Sequence, residues 1–121
     1  MPKQILVVDD SQVIRAMLIA DLSQRGHEVD DASGGRSGLE RARKKQYDLI
    51  VTDQNMPGMD GLAMVKGLRE IAGYEKTPIL VLTTETSDEM KASFRQVGAS
   101  GWMSKPYSPD RMTAALAKLL P

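Results

Sequence analysis

The sequence predicts one α/β domain, a parallel sheet of five strands covered by five helices. Residues 5–8, 49–52 and 79–82 form short runs that are apolar almost without interruption and rich in β-branched side chains, as strands buried on both faces of a parallel sheet are. Helix caps and helix spacing fill the intervals, so the chain reads as alternating strand and helix throughout. Its 121 residues suffice for one domain with a substantial core and are too few for two, so a single domain over 1–121 is expected.

The elements follow in order. After the first strand, Ser11 caps a helix whose Ile14, Leu18 and Leu22 share a face and which Gly26 ends. Residues 28–32 make a weaker second strand, and a second helix with less regular spacing lies near 35–45. The run 49–52 is the third strand, followed by a third helix, also of less regular spacing, near 61–69. Residues 79–82 form the fourth strand, and Gly98 closes a fourth helix carrying Met90, Phe94 and Val97. Residues 100–103 are a weaker fifth strand. Ser108 and Pro109 open the last helix, with Met112, Leu116 and Leu119 inward. There is no repeat, low-complexity tract or linker.

Sixteen basic residues balance sixteen acidic ones, so the chain lacks the basic field that grips nucleic acid or an anionic membrane. It has no cysteine and one histidine, His27, which excludes disulfides, thiol catalysis and zinc sites built from cysteine or clustered histidine. The opening stretch MPKQILVVDD holds no long apolar segment, so neither a signal peptide nor a membrane span is expected, and a cytoplasmic location is.

The stretch VVDDSQ ends an apolar run with two aspartates, Asp9 and Asp10, and offers no obvious positive partner nearby. At about 4 Å and an effective dielectric of about 20, like charges repel by roughly 4 kcal/mol. Sharing one pocket would raise a pKa or require a cation, whereas a solvated turn would require neither. In open parallel α/β sheets, ligands bind beyond the carboxyl ends of the strands. Those ends carry Asp9, Asp10, Asp53, Thr83 and Lys105. Three carboxylates there make a hard oxygen site suited to Mg²⁺. Carboxylates, a hydroxyl and a lysine, without histidine or cysteine, are equipped for phosphoryl transfer to an aspartate. Asp53 is the candidate nucleophile, because it follows the middle run and precedes the turn QNMPGMDG.

VVDDSQ, TDQNMPGMDG, LVLTTE and GASGWMSKP, in this order and at these separations, resemble the receiver domain of bacterial two-component response regulators over essentially the whole chain. The resemblance implies a three-layer, flavodoxin-like sheet of strand order 2-1-3-4-5. It implies Asp53 as phosphoacceptor and places Mg²⁺ on Asp10 directly, on Asp9 through water, on Asp53 and on the main-chain carbonyl of Asn55. Lys105 would pair with the phosphoryl group, Thr83 would report it through its hydroxyl, and Trp102 takes the place of the family's switch aromatic. Lys105–Pro106 would be a cis peptide. Asn55 and Glu85, each two residues beyond Asp53 and Thr83, match positions that tune hydrolysis, so rapid self-dephosphorylation is expected of a protein that is not an enzyme for external substrates. The implied partners are a histidine kinase as donor, a phosphatase, and a downstream protein bound by the face of the fourth helix, fifth strand and fifth helix, residues 87–120. LTTE with GASGW resembles chemotaxis members, whose output is a flagellar motor switch. A phosphate sink or phosphorelay intermediate would look the same in sequence. With no output segment after Pro121, the expected response is protein binding by a monomer.

Departures and rivals matter too. Trp102 stands where tyrosine or phenylalanine is usual, and Thr84 where a smaller residue is common; the first puts a full inward swing in doubt and the second narrows access. An EF-hand loop fits Asp53, Asn55 and Gly58, but Pro57 and Met64 occupy ligand positions. Phosphohydrolases with an aspartate nucleophile usually carry a second aspartate where Asn55 stands. A flavin-phosphate module needs a phosphate-cradling loop where Asp9 and Asp10 sit. Met56 and Met59 read as loop packing, and Arg41, Arg43, Lys44 and Lys45 as a solvated helix end.

Overall fold

The structure, a computed structural model, describes residues 2–120. Ten elements alternate: β1 (Gln4–Val8), α1 (Gln12–Gln24), β2 (Glu28–Ala32), α2 (Gly35–Lys44), β3 (Leu49–Asp53), α3 (Gly61–Arg69), β4 (Ile79–Thr83), α4 (Asp88–Val97), β5 (Gly101–Ser104) and α5 (Pro109–Leu119). All strand pairs are parallel, in the order β2-β1-β3-β4-β5. This is the flavodoxin-like order that the resemblance implied. It reverses direction between β1 and β3, which opens the crevice where such folds bind ligands.

The apolar runs are buried on both faces because successive strand side chains point to opposite sides. Leu6, Val8, Ile50, Ile79 and Val81 pack with α2, α3 and α4 through Leu39, Met64, Val65, Leu68 and Phe94. Ile5, Val7, Leu49, Val51, Leu80 and Leu82 pack with Leu18 and Leu22 of α1 and Met112 and Leu116 of α5. The edge strand β2, sequence EVDDA, stays half exposed and charged, which blunts pairing with another chain and also weakens its signal in sequence.

Side-chain caps start four of the five helices: Ser11, Asp60, Ser87 and Ser108 accept from the amides of Ile14, Ala63, Met90 and Arg111. The second helix has Gly34 at its N-cap and no side-chain cap, which accounts for its less regular appearance in sequence. Gly98 ends α4 at φ +97°, a left-handed turn that glycine adopts without a Cβ penalty. Below it, Arg69 donates to the carbonyls of Gly98, Tyr74 and Thr77. Burial lowers its pKa, and no carboxylate pairs with it among the described residues.

Two expectations shift. The fifth strand begins at Gly101 because Ser100 is bound to Ile79 through its hydroxyl as well as its amide, outside the regular ladder. Lys45 is not simply solvated: its ammonium pairs with Asp30 at 3.0 Å and sits 5.4 Å from the Tyr47 ring centroid.

Candidate functional site

Strand register brings the polar strand ends together. Val8 pairs with Thr52, so Asp9 emerges beside Asp53; Asp53 pairs with Leu82, leaving Thr83 next along; Thr83 pairs with Ser104, which puts Lys105 beyond it. All five rim residues expected from the sequence are therefore carried to one end of the sheet. The carboxylates of Asp9, Asp10 and Asp53 have oxygens within 4.8 Å of one another. Asp9 is 1% exposed and Asp53 3%, whereas Asp10 is exposed.

The electrostatics of the rim are unequal. Asp53 Oδ1 lies 2.7 Å from Lys105 Nζ, a close ion pair. Asp9 Oδ1 accepts from the Ser11 amide at 2.8 Å, but its Oδ2 is buried and has no partner. Burial raises the Asp9 pKa, the Ser11 amide opposes it, and the charges of Asp53 and Asp10 add to the rise while Lys105 counters them. An orphaned carboxylate oxygen in a cluster of hard oxygen donors fits a divalent cation of the Mg²⁺ type, which the rim's charge surplus also favours.

Neighbouring groups hold the rim in shape. The Lys105 amide donates to the Thr83 carbonyl at 2.9 Å, and Lys105–Pro106 is cis, as the resemblance implied. Arg111 donates to Ser104 Oγ and to the Pro106 carbonyl. Tyr107 donates to Asp21 on α1; its pKa is raised by burial and by that carboxylate. The Thr83 hydroxyl is engaged with Glu85, accepting from its amide at 2.9 Å and donating to its carbonyl at 3.1 Å. Asn55, Thr84 and Glu85 are exposed.

Trp102 is half buried. Its ring lies 6.0 Å from Phe94 between centroids, tilted by 36°, with the Arg95 guanidinium 5.2 Å from its centroid. It also lines two shallow grooves: one of about 420 Å³ with Thr86, Lys91, Ser104 and Arg111, and one of about 270 Å³ with Ser100, Ala114 and Lys118.

Three residues support the rim: Gln54 and Arg15, which went unnoticed in sequence, and Gly61, which belongs to the turn QNMPGMDG expected over the site. Gln54 is buried, and its Oε1 accepts from the Leu62 amide at 2.9 Å, stapling the loop after Asp53 to α3. Gly61 is required by closeness: a Cβ there would lie 2.5 Å from the Asp53 carbonyl. Arg15 donates to the main-chain carbonyl of Asp9. The signal for Arg15 was its place in the first turn of α1, four residues past the cap; nothing local marked Gln54.

The fold and rim together define a doubly wound domain with an acidic cluster at its switch point, in which a buried aspartate is flanked by acids and one lysine. The chain belongs to the response regulator receiver domain family, whose model matches residues 5–117, and as such it is a phosphorylatable domain of two-component signalling. It is similar to the chemotaxis protein CheY4 of Vibrio cholerae, with a TM-score of 0.95 and 43% identity over 99% of this chain and 100% of that one. A response regulator of Burkholderia multivorans gives a TM-score of 0.82 at 46% identity, over 100% of this chain and 97% of that one. The alkaline phosphatase synthesis transcriptional regulatory protein PhoP of Bacillus subtilis is 37% identical over 122 residues, 99% of this chain and 49% of that protein. The chain thus spans about half the length of that curated relative.

Proposed function

We propose that the chain is a phosphorylation switch that accepts a phosphoryl group from a histidine kinase onto Asp53, with Mg²⁺, and thereby changes its affinity for a downstream protein. The observation that carries this reading is the buried Asp53 carboxylate held 2.7 Å from Lys105 beside the unpartnered oxygen of Asp9. Asp9, Asp10, Asp53 and the Asn55 carbonyl would hold the ion, which supplies charge neutralisation of the phosphoryl oxygens. A carboxylate oxygen of Asp53 forms the bond to phosphorus as the bond to the donor histidine nitrogen breaks, and the leaving imidazole takes a proton from solvent. Lys105 stands against the carboxylate, in reach of the transferred group.

The acyl phosphate adds close to two negative charges and strong acceptors at the rim. Its oxygens compete with the Glu85 carbonyl for the Thr83 hydroxyl, which draws in the β4–α4 loop and disturbs the contacts of Trp102. A shift from about 1% to 99% active requires roughly 5.5 kcal/mol of preference. The reader is a protein bound on the α4/β5/α5 face; the full-length similarity to a chemotaxis protein favours a chemotaxis output, a flagellar motor switch. Asn55 and Glu85 stand in solvent at the rim, where they tune attack by water. The chain turns over no external substrate, acts as a monomer in the cytoplasm, and is reset by its own hydrolysis or a phosphatase.

The test is intact-mass measurement after acetyl phosphate with and without Mg²⁺. A gain of one phosphoryl group that needs Mg²⁺ and is lost in Asp53→Asn supports the reading; no covalent phosphate removes it. A phosphorylated lifetime of hours removes rapid self-dephosphorylation. Passage of the phosphoryl group to a second histidine domain, with no partner bound, favours a relay or sink.

A further inference from the structure

We propose that Arg15 is a positioning residue for the acidic rim, fixing the Asp9–Asp10 peptide so that both carboxylates converge on the ion; the proposal rests on the Mg²⁺ reading above. Arg15 stands in the first turn of α1 with its side chain 17% exposed. Its guanidinium is split between two elements: Nη1 donates to the Asp9 carbonyl at 2.7 Å, and Nε donates to Asp31 Oδ2 on β2 at 2.9 Å. One planar fork therefore ties the rim backbone to the neighbouring strand, a geometry that a lysine ammonium on a flexible stem does not reproduce.

The peptide is held from three directions. The Asp9 amide donates to the Ala32 carbonyl at 3.2 Å, the Ser11 amide donates to Asp9 Oδ1 at 2.8 Å, and Arg15 fixes the carbonyl between Asp9 and Asp10. Asp10 depends on this most. Its carboxylate is exposed and accepts no hydrogen bond from the protein among the described residues, so no donor fixes it and its reach depends on the backbone that carries it. Ligand-orienting groups of this kind matter to metal affinity nearly as much as the ligands themselves.

The sign of the effect separates positioning from charge. A positive group near a cation site repels the ion, so on charge alone its removal tightens binding. Positioning predicts the reverse. The experiment measures the Mg²⁺ dissociation constant by calorimetry, together with the amide shifts of Asp10 and Ser11 during titration, for wild type, Arg15→Met and Arg15→Lys. The expected result is affinity weaker by about tenfold in Arg15→Met and an intermediate loss in Arg15→Lys, which keeps the charge and loses the fork. Phosphoryl uptake from acetyl phosphate should then return to the wild-type rate at saturating Mg²⁺. Equal or tighter binding by Arg15→Met overturns the proposal, as does wild-type affinity in Arg15→Lys. A variant that melts earlier but binds Mg²⁺ normally assigns Arg15 to stability alone and overturns it too. If Arg15→Met fails to fold, Arg15→Lys carries the test. A wild-type protein that binds no Mg²⁺ overturns the site reading itself, an outcome distinct from all of these.

Discussion

Replacing Asp9 by asparagine should make the ion-free protein more stable. Oxygens of Asp9 and Asp53 lie within 4.8 Å of each other, a separation at which two unit charges repel by about 3.5 kcal/mol at an effective dielectric of about 20. Attraction of Asp9 to Lys105 offsets part of this, and repulsion from exposed Asp10 adds only a smaller contribution. The raised pKa of Asp9 fixes the sign: its charged form is disfavoured in the folded state, so a neutral isostere stabilises. Asparagine keeps the acceptor for the Ser11 amide and presents an N–H where Asp9 Oδ2 now has no partner. The net gain is about 1 to 2 kcal/mol once Lys105 is counted.

Urea unfolding in EDTA, followed by far-ultraviolet circular dichroism, reads this directly. Mg²⁺ at ten times its dissociation constant should stabilise the wild type by about 1.4 kcal/mol. The same concentration should leave Asp9→Asn almost unmoved. The reasoning is refuted if the variant is less stable than the wild type in EDTA, or if both proteins gain equally from Mg²⁺.

Gly61→Ala should destabilise by about 1 to 3 kcal/mol and slow phosphoryl uptake, because its Cβ meets the Asp53 carbonyl at 2.5 Å; uptake from acetyl phosphate at the wild-type rate would refute the close approach. Arg69→Met strips donors from the Gly98, Tyr74 and Thr77 carbonyls and should cost about 3 kcal/mol in urea unfolding, with Mg²⁺ affinity unchanged. Asp30 has its pKa lowered from the ordinary 3.8 by the Tyr47 hydroxyl and then Lys45. Its contribution is thus complete above about pH 4 and lost as the pH falls through the lower folded value. Tyr47→Phe should remove part of that acid limb of the stability curve. The Tyr47 phenol itself, pushed up to about 12 by burial and by Asp30, should resist ionisation in an alkaline absorbance titration.

The parts legible in the sequence were those with a local cause. Serine caps marked α1 and α5, Gly98 and apolar spacing marked α4, and unbroken apolar runs marked β1, β3 and β4, because a strand buried on both faces shows no alternation. The weak elements were weak for physical reasons: α2 has no capping side chain, and β2 is an edge whose charges are paired from outside. Rim residues were readable because each ends a strand, and parallel register then aligns them. What stayed hidden was support acting across the chain. The Gln54 staple to Leu62 and the tie from Tyr107 to Asp21 depend on neighbours that only the folded chain supplies.

The sequence contains Val-Asp-Asp twice, at Val8–Asp9–Asp10, where it ends an apolar run, and at Val29–Asp30–Asp31, within a weaker strand. Folding treats them oppositely. On β2, Asp30 receives Lys45 and the Tyr47 hydroxyl, and Asp31 receives Arg15, so each charge has a donor. At the end of β1, Arg15 comes within reach but spends its contact on the Asp9 carbonyl, and the one rim lysine serves Asp53. A buried carboxylate oxygen of Asp9 is left without a partner although a guanidinium is bound to the main-chain carbonyl of the same residue. Had selection for stability shaped this end of the sheet, that guanidinium would pair with the carboxylate, as it does with Asp31. A charge deficit kept open beside an available cation is better explained by a ligand that supplies the missing charge, and the contrast between the two aspartate pairs assigns that role to the rim and not to the edge strand.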